Sequence, residues 1–143
     1  MILTLEGIVE KNSIDLNGHM GTHHYLNIVT NGTHKFVTNT NMKTLLTDQN
    51  QSFVISKLMC HFRKELREGD RWNLCTGVYK CDIYGFSLIH NLNIDKKVMA
   101  KFYSQCIFFD LSERKSFTLK TSNSKDLNIE LMSEISDPFS IQI

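Results

Sequence analysis

Ser13-Ile14-Asp15-Leu16-Asn17-Gly18-His19-Met20-Gly21-Thr22-His23-His24-Tyr25 is the stretch on which the reading of this chain turns. It sets an acid, an amide, a glycine and an imidazole between Asp15 and His19, directly before a segment with helical periodicity. On an extended backbone alternate side chains share a face, so Asp15, Asn17 and His19 are expected to point the same way. A helix beginning just after them presents its free N–H groups and the positive end of its dipole at the same place. An acid or base, a hydrogen-bonding orienter and a helix N-terminus are the parts that attack a carbonyl and hold its oxyanion. The same composition also suits a tight turn, with Asn17-Gly18 at its corner and His19 solvated.

Working outward, the apolar residues Tyr25, Ile28, Val29, Phe36 and Val37 fall at helical spacing between Gly21 and Asn39. They form one buried stripe on a helix of about five turns. Thr22, Thr30, Asn31, Gly32 and Thr33 are weak helix formers, so this helix needs a sheet wrapped around it. Gly32, in mid-stripe, is a candidate for close approach of that sheet. Upstream, residues 2–12 read as a strand with partly alternating polarity. Downstream, residues 42–50 read as a short helical turn or loop, and then the period changes. Strands are expected at 52–66, 71–83, 86–94 and 98–111, with a short tail strand at 115–119. Arg67-Glu68-Gly69-Asp70, Tyr84-Gly85, Asp95-Lys96-Lys97 and Leu111-Ser112-Glu113-Arg114 punctuate them. One long helix followed by a meander of strands implies an α+β fold, an antiparallel sheet of about five strands around one helix. Residues 120–126 are polar, and 127–135 carry a weak helical stripe in Leu127, Ile129, Leu131, Met132 and Ile135. The expected organisation is one domain over 1–121 and an extension over 122–143.

Composition bounds the function. The chain has 143 residues, enough for one domain with a real core. Its 16 basic and 15 acidic residues leave a net charge of +1, which supports neither nucleic-acid nor membrane-surface binding. No apolar run approaches the length of a transmembrane helix, and the start lacks the features of a signal peptide, so a cytoplasmic protein is expected. Cys60, Cys75, Cys81 and Cys106 contain no Cys-x-x-Cys pair and read as free thiols in a reducing compartment. His23 and His24 stand near His19, but no carboxylate or cysteine has matching ligand spacing, so no metal site is expected.

At these residues the chain resembles the hotdog-fold thioesterases, the broad group around 4-hydroxybenzoyl-CoA thioesterase. Asp15, Gly18 and Tyr25 match that group's acid, glycine and tyrosine at the strand-to-helix turn. Ile14-Asp15-Leu16-Asn17-Gly18-His19-Met20 is similar to the run found in betainyl-CoA thioesterases. Plant acyl-ACP thioesterases carry a similar Asp-x-Asn-x-His and pair it with a glutamate in an aromatic-basic-basic-Glu string, which Phe62-Arg63-Lys64-Glu65 resembles. Arg67-Glu68-Gly69-Asp70-Arg71-Trp72 resembles the group's Gly-Asp turn, and the likeness runs in order over about residues 4–119. Gly21-Thr22 departs from the asparagine-containing pair usual after the histidine, and Ser13 stands where relatives carry a further acid.

The resemblance implies a single hotdog domain that hydrolyses an acyl-CoA to free acid and coenzyme A. The rivals are an acyl-ACP thioesterase and a non-catalytic module that binds an acyl thioester. It implies Asp15 as general base or nucleophile, Asn17 and His19 as orienting or proton-transferring groups, and Glu65 as the competing base. Glu65 equally suits a plain ion pair with Arg63 or Arg67. Backbone N–H groups around Gly21, Thr22 and His23 are implied as the oxyanion site, with Gly18 shaping the turn. Arg63, Lys64, Arg67 and Lys97 are implied as contacts for coenzyme A phosphates, and Tyr25, Phe53, Phe62, Trp72 and Phe86 as walls of an acyl pocket. No cofactor is implied beyond the coenzyme A of the substrate. The implied assembly is a homodimer or homotetramer joined along sheet edges.

Overall fold

A computed structural model describes residues 1–120, and the expected helical stripe at 127–135, like the rest of the extension, lies outside the described residues. Strand β1 (Ile2–Ile8) leads through a 3-10 turn (Lys11–Ser13) and the Asp15–Gly21 loop into helix α1 (Thr22–Asn39). A second 3-10 turn (Asn41–Leu45) follows, then β2 (Gln51–Phe62), β3 (Arg71–Cys81), β4 (Gly85–Ile94), β5 (Lys97–Asp110) and the two-residue β6 (Lys115–Ser116). The sheet is antiparallel in the order β1-β3-β4-β5-β2, with β6 beside β5. β1 and β2 therefore lie on opposite edges, and α1 is the crossover between them. This is the α+β arrangement the residue pattern anticipated, one helix held in a curled sheet.

The tail strand expected at 115–119 is only Lys115–Ser116, and three other boundaries differ from expectation, each for a local reason. β1 stops at Ile8, because Val9 turns to exchange backbone hydrogen bonds with Asp70 and Gly69. β2 stops at Phe62 rather than running to Leu66, because the Arg63 and Lys64 N–H groups both donate to the Met99 carbonyl (2.9 and 3.0 Å) and bend the chain off the ladder. Glu65 thus lies beyond the strand, not on it. β3 ends at Cys81, because the Asp82 carboxylate accepts from the Tyr84 and Gly85 N–H groups and closes the turn.

The helix buries Tyr25, Val29, Gly32, Thr33, Phe36 and Val37, with Ile28 half-buried beside them. Two apolar clusters receive this face. One gathers Phe36, Val37, Phe53, Phe86, Leu88 and Phe108 under the C-terminal half of α1. The other gathers Tyr25, Val29, Leu66, Leu74, Leu92 and Phe102 under its N-terminal half. At Gly32 a Cβ would stand 2.4 Å from Leu74 Cδ2, so sheet and helix meet there as closely as the missing side chain allows. Each weak helix former in α1 costs about 0.5–1 kcal/mol against alanine, whereas each fully buried Leu or Phe contributes roughly 1.5–3 kcal/mol. Burial wins, and it is what makes α1 a helix.

A polar rung separates the two clusters. His90 is fully buried, with Nδ1 2.9 Å from Thr76 Oγ1 and Nε2 3.0 Å from Ser104 Oγ and 3.4 Å from Thr33 Oγ1. Thr33, which the apolar stripe did not include, is buried because its hydroxyl donates back to the Val29 carbonyl at 2.9 Å. Burial pushes the His90 pKa down to about 3. An unfolded chain binds a proton here near pH 6.5 that the folded chain refuses, so stability falls as pH drops from about 6.5 toward about 3. Between about pH 7 and pH 5 this one group costs about 2 kcal/mol of stability. Urea unfolding midpoints measured at the two pH values should show that loss in the wild type and a clearly smaller one in His90→Gln; an equal pH dependence in both contradicts the assignment.

Candidate functional site

The Asp15–Met20 segment is a closed turn rather than an extended strand. Ile14 and Met20 form an antiparallel bridge, Asp15 N–H donates to the His19 carbonyl at 2.9 Å, and Gly18 N–H donates to the Asp15 carbonyl at 3.1 Å. Gly18 has φ +81°, the left-handed backbone that glycine adopts without strain. Asp15 Oδ1 accepts the Asn17 N–H at 2.8 Å, an Asx turn. The expected one-sided row is therefore replaced by a corner. Asp15 and His19 face each other across its base, and Asn17 is exposed at its tip.

The corner is fastened on both sides. Met20 N–H donates to the Leu66 carbonyl at 2.8 Å, which ties it to the segment after β2. Gly21 N–H donates to the Ser13 carbonyl at 3.0 Å. That bond takes Gly21 out of the expected oxyanion set and leaves the Thr22 and His23 N–H groups, the first two of α1. His24 N–H bonds back to the Gly21 carbonyl. α1 has no side-chain N-cap hydrogen bond and no acidic residue in its first turn, so no side chain of that turn offsets its positive end.

Leu66 is fully buried, and its neighbours Glu65 and Arg67 project together to the surface on either side of it. Glu65 Oε2 lies 2.6 Å from His19 Nδ1, while Oε1 accepts from Arg67 Nε at 2.9 Å and from Arg67 Nη2. The hydrogen bonds from Arg67 and then from His19 hold the Glu65 carboxyl below the ordinary carboxylate range. A carboxylate only accepts, so the 2.6 Å contact puts a proton on His19 Nδ1, and in the neutral ring Nε2 is then the free lone pair. Nε2 faces Asp15 Oδ2 at 3.8 Å, too far for a direct hydrogen bond and close enough for one water lying to the side to bond both.

Beside this chain of groups opens a cleft of about 290 Å³ lined by His19, Met20, Thr22, Tyr25, Phe62, Arg63, Lys64 and Glu65. Tyr25 stands edge-on to Phe62 with ring centroids 4.8 Å apart. Burial, with the negative charges of Glu65 and Asp15 adding to it against a backbone hydrogen bond at Leu66, raises the Tyr25 pKa, so its phenol stays protonated. Phe62 is 44% exposed and forms an apolar flank. Lys64 sits against Lys97; a hydrogen bond to that amine and the repulsion of its charge hold Lys64 below the ordinary lysine range.

Of the residues expected at the site, Asp15, His19, Glu65, Thr22, Tyr25, Arg63 and Lys64 thus come together in or beside the cleft. Arg67 is engaged by Glu65 rather than lining the cleft, His23 is exposed with its ring against His24 (centroids 4.0 Å apart), and Gly18, Gly21 and Asn17 shape the turn through their backbones. Phe53 and Phe86 pack in the C-terminal-half cluster and Trp72 against the other, so of the five aromatic residues expected as acyl-pocket walls only Tyr25 and Phe62 line the cleft. Met20 is a wall of the cleft that the residue pattern did not single out. Its signal was present, an apolar residue inside a polar motif. Among the described residues no three His, Cys, Asp or Glu side chains converge to hold a metal, all four cysteines are free, and no helix is long and apolar enough to cross a membrane.

Residues 9–132 match the thioesterase-like superfamily, and the chain belongs to it. Among solved structures, YbaW Probable Thioesterase from Escherichia coli superposes with TM-score 0.76 at 16% identity, over 88% of this chain and 96% of that one. The hypothetical protein SAV2348 from Staphylococcus aureus, solved in complex with CoA, gives TM-score 0.76 at 17% identity over 99% and 94%. BH1999 gentisyl-coenzyme A thioesterase gives 0.65 at 20% identity over 73% and 87%. At such identities these likenesses establish the shared fold. No curated protein sequence matches the chain.

The site geometry makes one direct demand. Nitrogen-detected NMR should find the neutral His19 ring as its Nδ1–H tautomer, and Glu65→Ala should abolish that preference. A wild-type ring with Nε2 as the protonated nitrogen contradicts the geometry.

Proposed function

We propose that this protein is an acyl-CoA thioesterase, hydrolysing its substrate to a free acid and coenzyme A. The observation that carries the reading is the convergence, at one cleft, of the Asp15–His19–Glu65 chain with the uncapped N-terminus of α1. The thioester carbonyl oxygen is received by the Thr22 and His23 N–H groups, where the helix dipole favours the charge that develops on attack. A water held between Asp15 Oδ2 and His19 Nε2 attacks the carbonyl carbon. As its oxygen–carbon bond forms, its proton passes to Nε2, and Glu65 on the far side of the ring stabilises the imidazolium. Collapse of the tetrahedral intermediate breaks the carbon–sulfur bond, and the imidazolium proton goes to the departing thiolate. Asp15 is thus the group that holds the water and faces the growing positive charge. Glu65 has both oxygens occupied and serves as the orienter rather than the free base.

The preference for coenzyme A rests on Lys64 and Lys97, whose crowded ammonium groups are relieved by an anion such as a phosphate, with Arg63 beside them. Tyr25, Phe62 and Met20 offer the acyl group an apolar wall. Among the described residues β2 is an edge strand of 12 residues, and Phe62 at its end is both exposed and part of the cleft. Pairing of that edge with a second copy, giving a homodimer or a homotetramer, protects it and closes the cleft from one side.

Thiol release should be measured on short, long, aromatic and betainyl acyl-CoAs for the wild type and Asp15→Asn. The expected result is wild-type turnover on at least one of them, falling by about a hundredfold or more in the amide, which keeps the shape and removes the charge. Wild-type turnover that survives the substitution overturns the role of Asp15, and a folded wild type inert on the whole panel overturns the reading.

A further inference from the structure

We infer that Arg67 is a positioning residue for the reaction, acting through Glu65 on His19, and not a contact for substrate phosphate. The inference rests on the thioesterase reading above and adds a fourth group to its chain.

The backbone dictates the arrangement. Between β2 and β3 the chain passes Leu66 inward into the core, so the residues on either side of it are driven outward together. That stretch is pinned at several points. Met20 N–H holds the Leu66 carbonyl, Arg67 N–H donates to Asp70 Oδ2 at 2.8 Å, Asp70 N–H donates to the Arg67 carbonyl at 3.0 Å, and Val9 bonds both Asp70 and Gly69. Glu65 and Arg67 are thus presented side by side from a fixed backbone, although the Arg67 side chain is 72% exposed.

The division of the Glu65 carboxylate is the telling feature. Both Arg67 donors, Nε and Nη2, go to Oε1, and His19 Nδ1 alone goes to Oε2. A carboxylate whose one oxygen is held by a guanidinium fork has its plane set, so the other oxygen faces the imidazole in a defined direction. Without Arg67 the His19 contact alone holds the Glu65 carboxylate, whose terminal torsion is soft. The direction in which Oε2 meets the imidazole is then less closely defined. An arginine spent in this way is also withheld from the cleft, whose walls do not include it. An isolated exposed ion pair adds little to stability, so the cost of removing Arg67 should appear in catalysis and not in folding.

Charge gives a second handle. The groups that face the Glu65–His19 pair are Asp15 from the turn, Arg67 and Asp70 from the segment after β2, Tyr25 from α1, and the Lys64–Lys97 pair nearby. Arg67 is the cation in hydrogen-bond contact with the pair, so removing it makes the pair easier to protonate.

The test compares wild type, Arg67→Gln and Arg67→Lys. The pH dependence of kcat and KM is read on the best acyl-CoA, and the Glu65 carboxyl is titrated by carbon NMR without substrate. The expected result for Arg67→Gln is an unchanged unfolding midpoint, a severalfold lower kcat near neutral pH with KM little altered, and an acid limb moved to higher pH by up to about one unit. The Glu65 midpoint should rise in the same direction, and Arg67→Lys, which keeps the charge and loses the fork, should recover the acid limb more than kcat. A raised KM with kcat and pH profile unchanged makes Arg67 a phosphate contact and overturns the inference. An unmoved Glu65 midpoint overturns it whether or not the protein hydrolyses thioesters, so its failure is distinct from failure of the functional reading.

Discussion

Burial of α1 against the sheet is the constraint from which the rest of the molecule follows. The helix runs from one sheet edge to the other, and its sequence is too poor in helix formers to stand alone. It folds because Tyr25, Val29, Phe36 and Val37 find two apolar clusters in the sheet, and because Gly32 lets Leu74 reach the helix backbone. Between those clusters Thr33 meets the His90 rung beside the point where Leu74 closes on Gly32. A helix slid by one residue would bring Asn31 or Thr33 to the place where only a glycine leaves room for Leu74. The position of the helix N-terminus is therefore set by packing far from the site it serves.

The site inherits its geometry from that placement through a small number of backbone bonds. Met20 joins the turn before the helix to Leu66, and Leu66 sits between the two charged residues that organise His19. The chemistry resides on loops while the positions are held by buried residues on either side, Met20 and Leu66 among them. What results is a run of alternating charge and polarity, Arg67 to Glu65 to His19 to Asp15, that ends beside bare helix N–H groups. Such a run suits a reaction in which a proton leaves a nucleophile as negative charge gathers on an oxygen a few ångströms away.

Much of this was legible in the sequence, and the failures are instructive. The 3.6-residue stripe from Tyr25 to Val37 placed the helix to within a residue, because one buried face leaves a strong signal. The strand meander was equally visible in its turn residues. What the pattern could not give was local backbone competition. Alternation of Asp15, Asn17 and His19 resembled a strand, yet the Asx bond and the left-handed Gly18 made a turn in which only two of the three converge. Phe62-Arg63-Lys64-Glu65 resembled the end of a strand, yet bonds from Arg63 and Lys64 to Met99 released Glu65 to reach His19. Neither event has a periodic signature. The buried Thr33 and His90 escaped for a related reason, since a polar residue in the core is recognisable only when its partners from other strands are known.

The central claim is that a thioester carbonyl is held at the start of α1, within reach of a water on Asp15 and His19. A crystal structure with a non-hydrolysable acyl-CoA analogue, its carbonyl intact, tests this most directly. The account predicts the carbonyl oxygen within about 3 Å of the Thr22 and His23 nitrogens, with the carbonyl carbon facing the space between Asp15 Oδ2 and His19 Nε2. An analogue seated with its carbonyl away from the α1 N-terminus, or with Asp15 and His19 both behind the acyl chain, would contradict it.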